Sequence, residues 1–219
     1  MTLRTTTLSG YSCFEREHSF LSSFLTGPLT MPGTIPRDEI HWFPMYVSYR
    51  RELTVKQALD DKHIENYIPM KLVLEHKDKQ IVRSMEPVIH NLIFVYSCIN
   101  TLSHLKMFCP DCAPLQYMTF KARTLEQSST IITVEEARMR QFMKAMDVLD
   151  EKNRRTLVPY DDAIFGNEGR RIKFIRGDFE GIEGTIKRIN KNRSLIIALK
   201  HVGVLVITID HATDIEFLD

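Results

Sequence analysis

Pro87-Val88-Ile89-His90-Asn91-Leu92-Ile93-Phe94-Val95-Tyr96 is the most strand-like stretch of the chain, rich in β-branched and aromatic residues. Its apolar density predicts a central strand. Upstream, Tyr67 to Leu74 reads as a second strand, and Glu75-His76-Lys77-Asp78-Lys79 as a charged hairpin tip or loop. Further back, Trp42-Phe43-Pro44-Met45-Tyr46-Val47 reads as a strand at a sheet edge, because Pro44 cannot donate to a ladder. Val55, Ala58 and Leu59 stand at i, i+3, i+4 spacing and predict a helix between Glu52 and Lys62.

Downstream, Ser97 is placed to cap a helix carrying Ile99, Leu102 and Leu105 on one side, and Leu115 to Lys121 reads as another strand. Thr133-Val134-Glu135-Glu136 has the spacing of a capping box, and Met139, Phe142, Met143 and Met146 make one apolar stripe on the helix it opens. The order is β-α-β-β-α-β-α. That alternation predicts an α+β, ferredoxin-like unit with helices on a mainly antiparallel sheet.

Asp147 to Asp162 has no apolar period and reads as a linker. Beyond it, Arg171–Ile175, Gly184–Ile189, Leu195–Leu199 and Val202–Ile209 are short β-branched stretches between turns, the pattern of a small five-stranded closed barrel. Residues 1–38, rich in Thr and Ser, show neither period and read as a flexible extension; Phe14, Phe20, Leu21, Phe24 and Leu25 leave open a short docking helix. The expected division is 1–38 extension, 39–147 first domain, 148–163 linker and 164–219 second domain.

The chain has 219 residues, 43% hydrophobic and 26% charged, which suits a folded protein with a core. Lys and Arg number 29 against 28 Asp and Glu, so no global field draws the chain to nucleic acid or anionic lipid. Any such contact is local. No apolar run approaches the roughly 20 residues of a bilayer span, and no secretory leader is visible, so a cytoplasmic protein without membrane contact is expected. Four cysteines do not make a disulfide scaffold.

Cys109-Pro110-Asp111-Cys112 is a lone CxxC with only His104 near in sequence, short of the four ligands of a structural zinc site and followed by Pro114 and a strand, unlike a redox motif at a helix N-terminus. The chain lacks a Gly-x-Ser-x-Gly, a P-loop and a His-Glu-x-x-His, so no catalytic residue, metal or cofactor is expected.

The stretch from Gly169 to Ile189, with Gly177, Gly181 and Gly184 around a turn at Asp178-Phe179, resembles the KOW motif of SH3-like barrels. His41-Trp42-Phe43, Tyr67-Ile68-Pro69-Met70 and Glu86 to Val95 resemble successive elements of the NusG N-terminal domain. Together they cover roughly residues 40–219 and are similar to a NusG-family transcription elongation factor. More narrowly, they are similar to specialised paralogues that act on particular operons, including the UpxY capsular-polysaccharide antiterminators. Where the general factor has Pro-Gly-Tyr, this chain has His90-Asn91-Leu92, nearer the Pro-Asn-Tyr of specialised members.

The resemblance implies a factor that binds RNA polymerase and suppresses pausing and termination, probing the clamp helices of the largest subunit with Trp42, Phe43, Tyr46, Ile89, Leu92 and Phe94. Ordinary core is the alternative role of these side chains. It implies a contact of Ser103 and His104 with the gate loop of the second-largest subunit; a solvated helix end is the alternative. Tyr49, Arg50 and Arg51 fall where such proteins touch non-template DNA, a solvated basic turn being the more frequent role of such residues, and Lys187, Arg188, Lys191 and Arg193 supply charge for RNA or phosphate, or else defend a strand edge. Phe179 and Ile182 resemble the KOW loop that meets a small-subunit ribosomal protein or Rho; closing the barrel is the other role open to Phe179. A monomer is expected. The rival readings are a housekeeping NusG-type factor, a ribosome-associated KOW module that binds RNA, and a thiol or zinc protein built on Cys109 and Cys112.

Overall fold

A computed structural model describes residues 35–77, 80–121, 129–148, 155–161, 165, 169–189, 192–209 and 214–218. The expected extension, apart from its last residues, and Lys191 lie outside the described residues. The fold is a mixed α and β arrangement with two main sheets.

The first sheet contains β1 (His41–Val47), β2 (Asn66–Tyr67), β5 (Leu92–Ser97) and β6 (Leu115–Tyr117) in the order β2-β5-β1-β6. Its neighbours run antiparallel, with Trp42 opposite Tyr96 and Tyr46 opposite Leu92. Pro44 is paired on both sides of its strand despite lacking an N–H: Met118 donates to its carbonyl at 3.3 Å, and β1 is an inner strand rather than the expected edge.

Alternation along β1 and β5 makes two apolar faces, as a period-2 chain must. Phe43, Met45, Val47, Ile93 and Val95 pack against α1 (Glu52–Asp60) and α2 (Ile99–Phe108) through Val55, Leu59, Leu102 and Leu105. Trp42, Leu92 and Phe94 point the other way and pack with Met139, Phe142 and Met146 of α3 (Glu136–Asp147). The helix-period expectations for all three helices hold at the residues that carry them.

Three long strands expected from the sequence are broken. The stretch 67–74 stops with β2 at Tyr67, passes through Ile68 and Pro69 and restarts as β3 (Met70–Lys77), and 87–96 divides into the end of β4 (Gln80–Pro87) and β5. The breaks fall at Pro69, at Pro87 and at Asn91, whose φ of 64° is left-handed and cannot continue a strand. Between them β3 and β4 form a separate two-stranded hairpin, Met70 opposite Pro87 and Lys77 opposite Gln80, with its tip outside the described residues. Likewise 115–121 splits at Met118 into β6 and β7 (Thr119–Lys121), and β7 pairs with β8 (Ser129–Ile131), which the sequence did not announce.

Neither expected cap forms. Cys98 precedes α2 and Glu135 precedes α3, each without a side-chain cap bond, while Ser97 is the last residue of β5. Thr133 lies too early because Val134 is held in a bridge to Trp42, which delays the helix.

The second sheet has six strands, in the order β14-β10-β11-β12-β13-β9. They are β9 (Arg155–Val158), β10 (Arg171–Phe174), β11 (Glu183–Ile189), β12 (Asn192–Leu199), β13 (Gly203–Thr208) and β14 (Ile215–Phe217). β9 lies in the stretch expected to be linker; it pairs with β13 from Val158 opposite Val204 to Arg155 opposite Ile207. The sheet therefore has one strand more than expected, and β9 and β14 stand at its two ends. Ile172, Phe174, Phe179, Ile182, Leu195, Ile197 and Leu205 occupy its inner face.

α3 belongs to both units. Phe142 sets its ring against Phe94 and Tyr67 at centroid distances of 5.8 and 6.3 Å, while the same helix packs on β12. One continuous core thus runs from Trp42 through Phe142 to Leu195 and Phe179.

Candidate functional site

The β1/β5 face collects most of the residues expected at the clamp. Trp42, Leu92 and Phe94 share it, Ile89 packs at its border, and Tyr46 lies at its uncovered end with half of its surface exposed. Phe43 does not belong to this face. Its side chain points into the opposite core beside Met45 and Val55, as alternation from Trp42 requires. Tyr67 and Tyr96, which sequence reasoning left out, complete the face: Tyr96 lies 5.2 Å from the Trp42 ring, and its hydroxyl donates to Glu136 at 3.2 Å. Their signal was present, since both fall on the same face by the period of two.

The second unit is seated over this face. Gln141 of α3 accepts the backbone N–H of Glu183 at 3.1 Å, and Arg155 donates to the carbonyls of Ala145, at 2.9 Å, and Met146 at the end of α3. Cations suit that position, where the last helical carbonyls lack partners. At Gly181, φ is +77° and a Cβ would meet Lys144 Nζ at 2.8 Å, so the turn before β11 lies directly on α3. The Tyr67 hydroxyl donates to Asp147 at 2.9 Å, and burial with that carboxylate pushes its pKa far up. Phe179 and Ile182 are buried in the same core.

At the far end of β1 the chain makes a turn of unusual shape. Ser48–Arg50 is a 3-10 turn in which Tyr49 has φ 65° and ψ 31°, and Arg50 has φ 52°. Left-handed backbone costs an L-residue about 1–2 kcal/mol, so two in succession need support. Asn91 supplies it: its side-chain oxygen accepts the Arg50 N–H, and its carbonyl accepts the Val47 N–H, each at 2.9 Å. Beside it, His90 Nδ1 stands 3.3 Å from the buried carboxylate of Glu52. The result displays Tyr49 at 90% exposure beside the exposed Arg50. Arg51 pairs instead with Asp111 at 3.2 Å.

Ser103 and His104 lie on the exposed side of α2, where His104 stacks against the exposed Phe108 at 4.6 Å. Arg188 and Arg193 are exposed and directly opposite one another on β11 and β12, with Lys187 beside them. That places the Arg188 and Arg193 charges together on one sheet surface, with Lys187 on the opposite face by alternation, away from Tyr49 in the sequence and in the sheet order. Among the described residues no group of three acidic, histidine or cysteine side chains is arranged to hold a metal, and no helix is long and apolar enough to cross a membrane.

Residues 40–143 match the family model described as "Transcription termination factor nusG". This stretch, just under half of the chain, is similar to a NusG-family domain. The matched stretch runs from the start of β1 into α3, and so contains the whole first sheet, the strained turn and the helix on which the second unit sits. Among solved structures the chain resembles one titled "Domain interaction in Thermotoga maritima NusG", at 13% identity and a TM-score of 0.39, covering 83% of this chain and 98% of that one. No curated protein matches the sequence. The β1/β5 face, with Trp42, Leu92 and Phe94, lies within the matched stretch.

Proposed function

We propose that the protein is a transcription elongation and antitermination factor that binds RNA polymerase through the β1/β5 face and suppresses pausing and termination. The observation that carries the reading is the coincidence of the NusG match with a face bearing Trp42, Tyr46, Leu92, Phe94 and Tyr96. Aromatic and branched anchors of this kind gain about 25 cal/mol for each Å² they remove from water. The clamp helices of the largest subunit are the occupant, with Ile89 at the border, and the exposed edge of α2 with Ser103 and His104 faces the gate loop of the second-largest subunit. The first unit is the ferredoxin-like domain of this reading and the second its KOW barrel.

In the structure Leu92 and Phe94 are 3% and 1% exposed beneath α3 and the barrel, so full engagement requires the two units to part. Parting also frees Phe179 and Ile182, the barrel surface for a ribosomal small-subunit protein or Rho. The factor acts by binding the elongating state of polymerase more tightly than the paused one; it shifts that equilibrium by the ratio of the two affinities and no further. Asn91 in place of glycine favours a specialised factor of the UpxY type, working at particular operons such as polysaccharide loci. Tyr49 and Arg50 read a single-stranded signal in the non-template strand or leader RNA by stacking and charge. A purified elongation assay on a template with a strong pause tests the reading. Shortened pauses and increased read-through are expected; unchanged pausing at saturating protein contradicts it.

A further inference from the structure

The spacing of Cys109 and Cys112 is short of a zinc site and unlike a redox motif at a helix N-terminus, yet their geometry is that of a pair ready to be joined. α2 ends at Phe108, Cys109 still donates its N–H to Leu105, and the chain then turns so that the Cys112 N–H meets the Cys109 carbonyl at 3.0 Å. Such an i to i+3 turn holds its end Cα atoms within about 7 Å, the separation beyond which two cysteines cannot be bridged without backbone movement. The two side chains are hydrogen-bonded to one another, and both cysteines are free thiols.

Their environments differ in a useful way. Cys109 is partly exposed and Cys112 is fully buried. One sulfur is accessible to a small reagent, and the other is accessible only to the first. Burial, with the neighbouring Cys109, pushes the Cys112 thiol up to about 12. Stabilised thiolates make a dithiol pair oxidising, and Cys112 has no such stabilisation, so little in the site resists the disulfide. Between the two cysteines, Asp111 holds Arg51, the residue that precedes α1 and follows the strained turn at Tyr49 and Arg50.

From this geometry we infer that Cys109 and Cys112 form a reversible disulfide by exchange with a low-molecular-weight disulfide such as oxidised glutathione. The Cys109 thiolate attacks one sulfur of the reagent, breaking its S–S bond and releasing one glutathione thiolate, which takes up a proton. The Cys112 sulfur, giving up its own proton, then attacks Cys109 Sγ and displaces the second glutathione. Two protein thiols are oxidised to one disulfide, and one glutathione disulfide is reduced to two thiols. The oxidised turn is covalently closed where Asp111 meets Arg51.

The test uses the full-length folded protein in mixtures of reduced and oxidised glutathione, quenched with acid, alkylated and mapped by peptide mass. Excess oxidised glutathione is expected to protect Cys109 and Cys112 from alkylation, to yield a peptide linked between Cys109 and Cys112, and to be reversed by dithiothreitol. Cys112→Ser is expected to accumulate one glutathione on Cys109, while Cys98→Ser, at a buried thiol elsewhere, still forms the linked peptide. The inference is overturned if both thiols remain alkylatable at the most oxidising ratio, if the linkage joins other cysteines, or if wild type stops at the mixed disulfide. The wild-type map decides alone should either variant fail to fold.

Discussion

The side-chain oxygen of Asn91 accepts the backbone N–H of Arg50 at 2.9 Å, across 41 positions of sequence. Asn91 is itself left-handed, with φ 64°, and so are Tyr49 and Arg50. A position that demands positive φ favours glycine or asparagine, and asparagine adds an acceptor that glycine lacks. The difference between Pro-Gly-Tyr and His90-Asn91-Leu92 thus has a structural meaning: the asparagine pins the turn that displays Tyr49.

Replacing Asn91 separates the two contributions. Asn91→Gly keeps the backbone and loses the acceptor, while Asn91→Ala loses both and is expected to cost about 1–2 kcal/mol. Urea unfolding should rank wild type above Asn91→Gly above Asn91→Ala. Amide hydrogen exchange at Arg50 should speed up in both variants.

Phe142 joins the two sheets through one side chain. Phe142→Ala is expected to destabilise the protein by about 3–5 kcal/mol, the range for deleting a buried aromatic ring. Its two ring neighbours, Tyr67 and Phe94, would be left facing a cavity. Thermal unfolding followed by near-ultraviolet dichroism checks this, because those aromatic environments are the ones disturbed.

The seat of the barrel on α3 depends on polar contacts that can be removed without emptying a core. Arg155→Met deletes the bonds to the carbonyls of Ala145 and Met146 while keeping an apolar stem, at an expected cost of about 1.5–3 kcal/mol. Limited proteolysis between the two units should become faster. Polymerase binding should strengthen in the same variant, since the face beneath is uncovered more often.

Stability should fall in the alkaline range through Cys112. Its folded pKa is raised from 9.0 to about 12, so between those values the folded thiol keeps a proton that the unfolded one has lost. The folded state then binds more protons, and stability declines as pH rises. The contribution is whole below pH 9 and is lost on the way to 12. Denaturant titrations across that range should show a shallower decline for Cys112→Ala than for wild type.

The helices were legible because three or four apolar residues at a 3.6 spacing leave few alternatives: Val55 and Leu59, Leu102 and Leu105, Met139, Phe142 and Met146 are all buried where that spacing puts them. Strand ends were less so. A run such as Val88 to Val95 is apolar throughout, and only the backbone at Asn91 reveals that it belongs to two sheets. β8 and β9 are three and four residues long, too short for a period, and β9 begins with Arg155, whose charge is satisfied by the end of α3.

For the site, alternation places Trp42, Leu92 and Phe94 on one face and should equally have excluded Phe43 and added Tyr96. What covers that face is a different matter. The sequence shows a surface that must be buried, and the second partner of α3 emerges only when β12 is seen against it.

The most direct test of the account is retention of the purified protein by core RNA polymerase, compared between wild type, Tyr46→Asp and Leu92→Asp. Tyr46 is half exposed, so its substitution should leave the unfolding transition unchanged, whereas Leu92→Asp puts an unpaired charge into a buried site and is controlled by the same transition. The account predicts that polymerase retains wild type and loses Tyr46→Asp while that variant remains folded. Failure of wild type to bind polymerase, or equal binding by folded Tyr46→Asp and wild type, would contradict it.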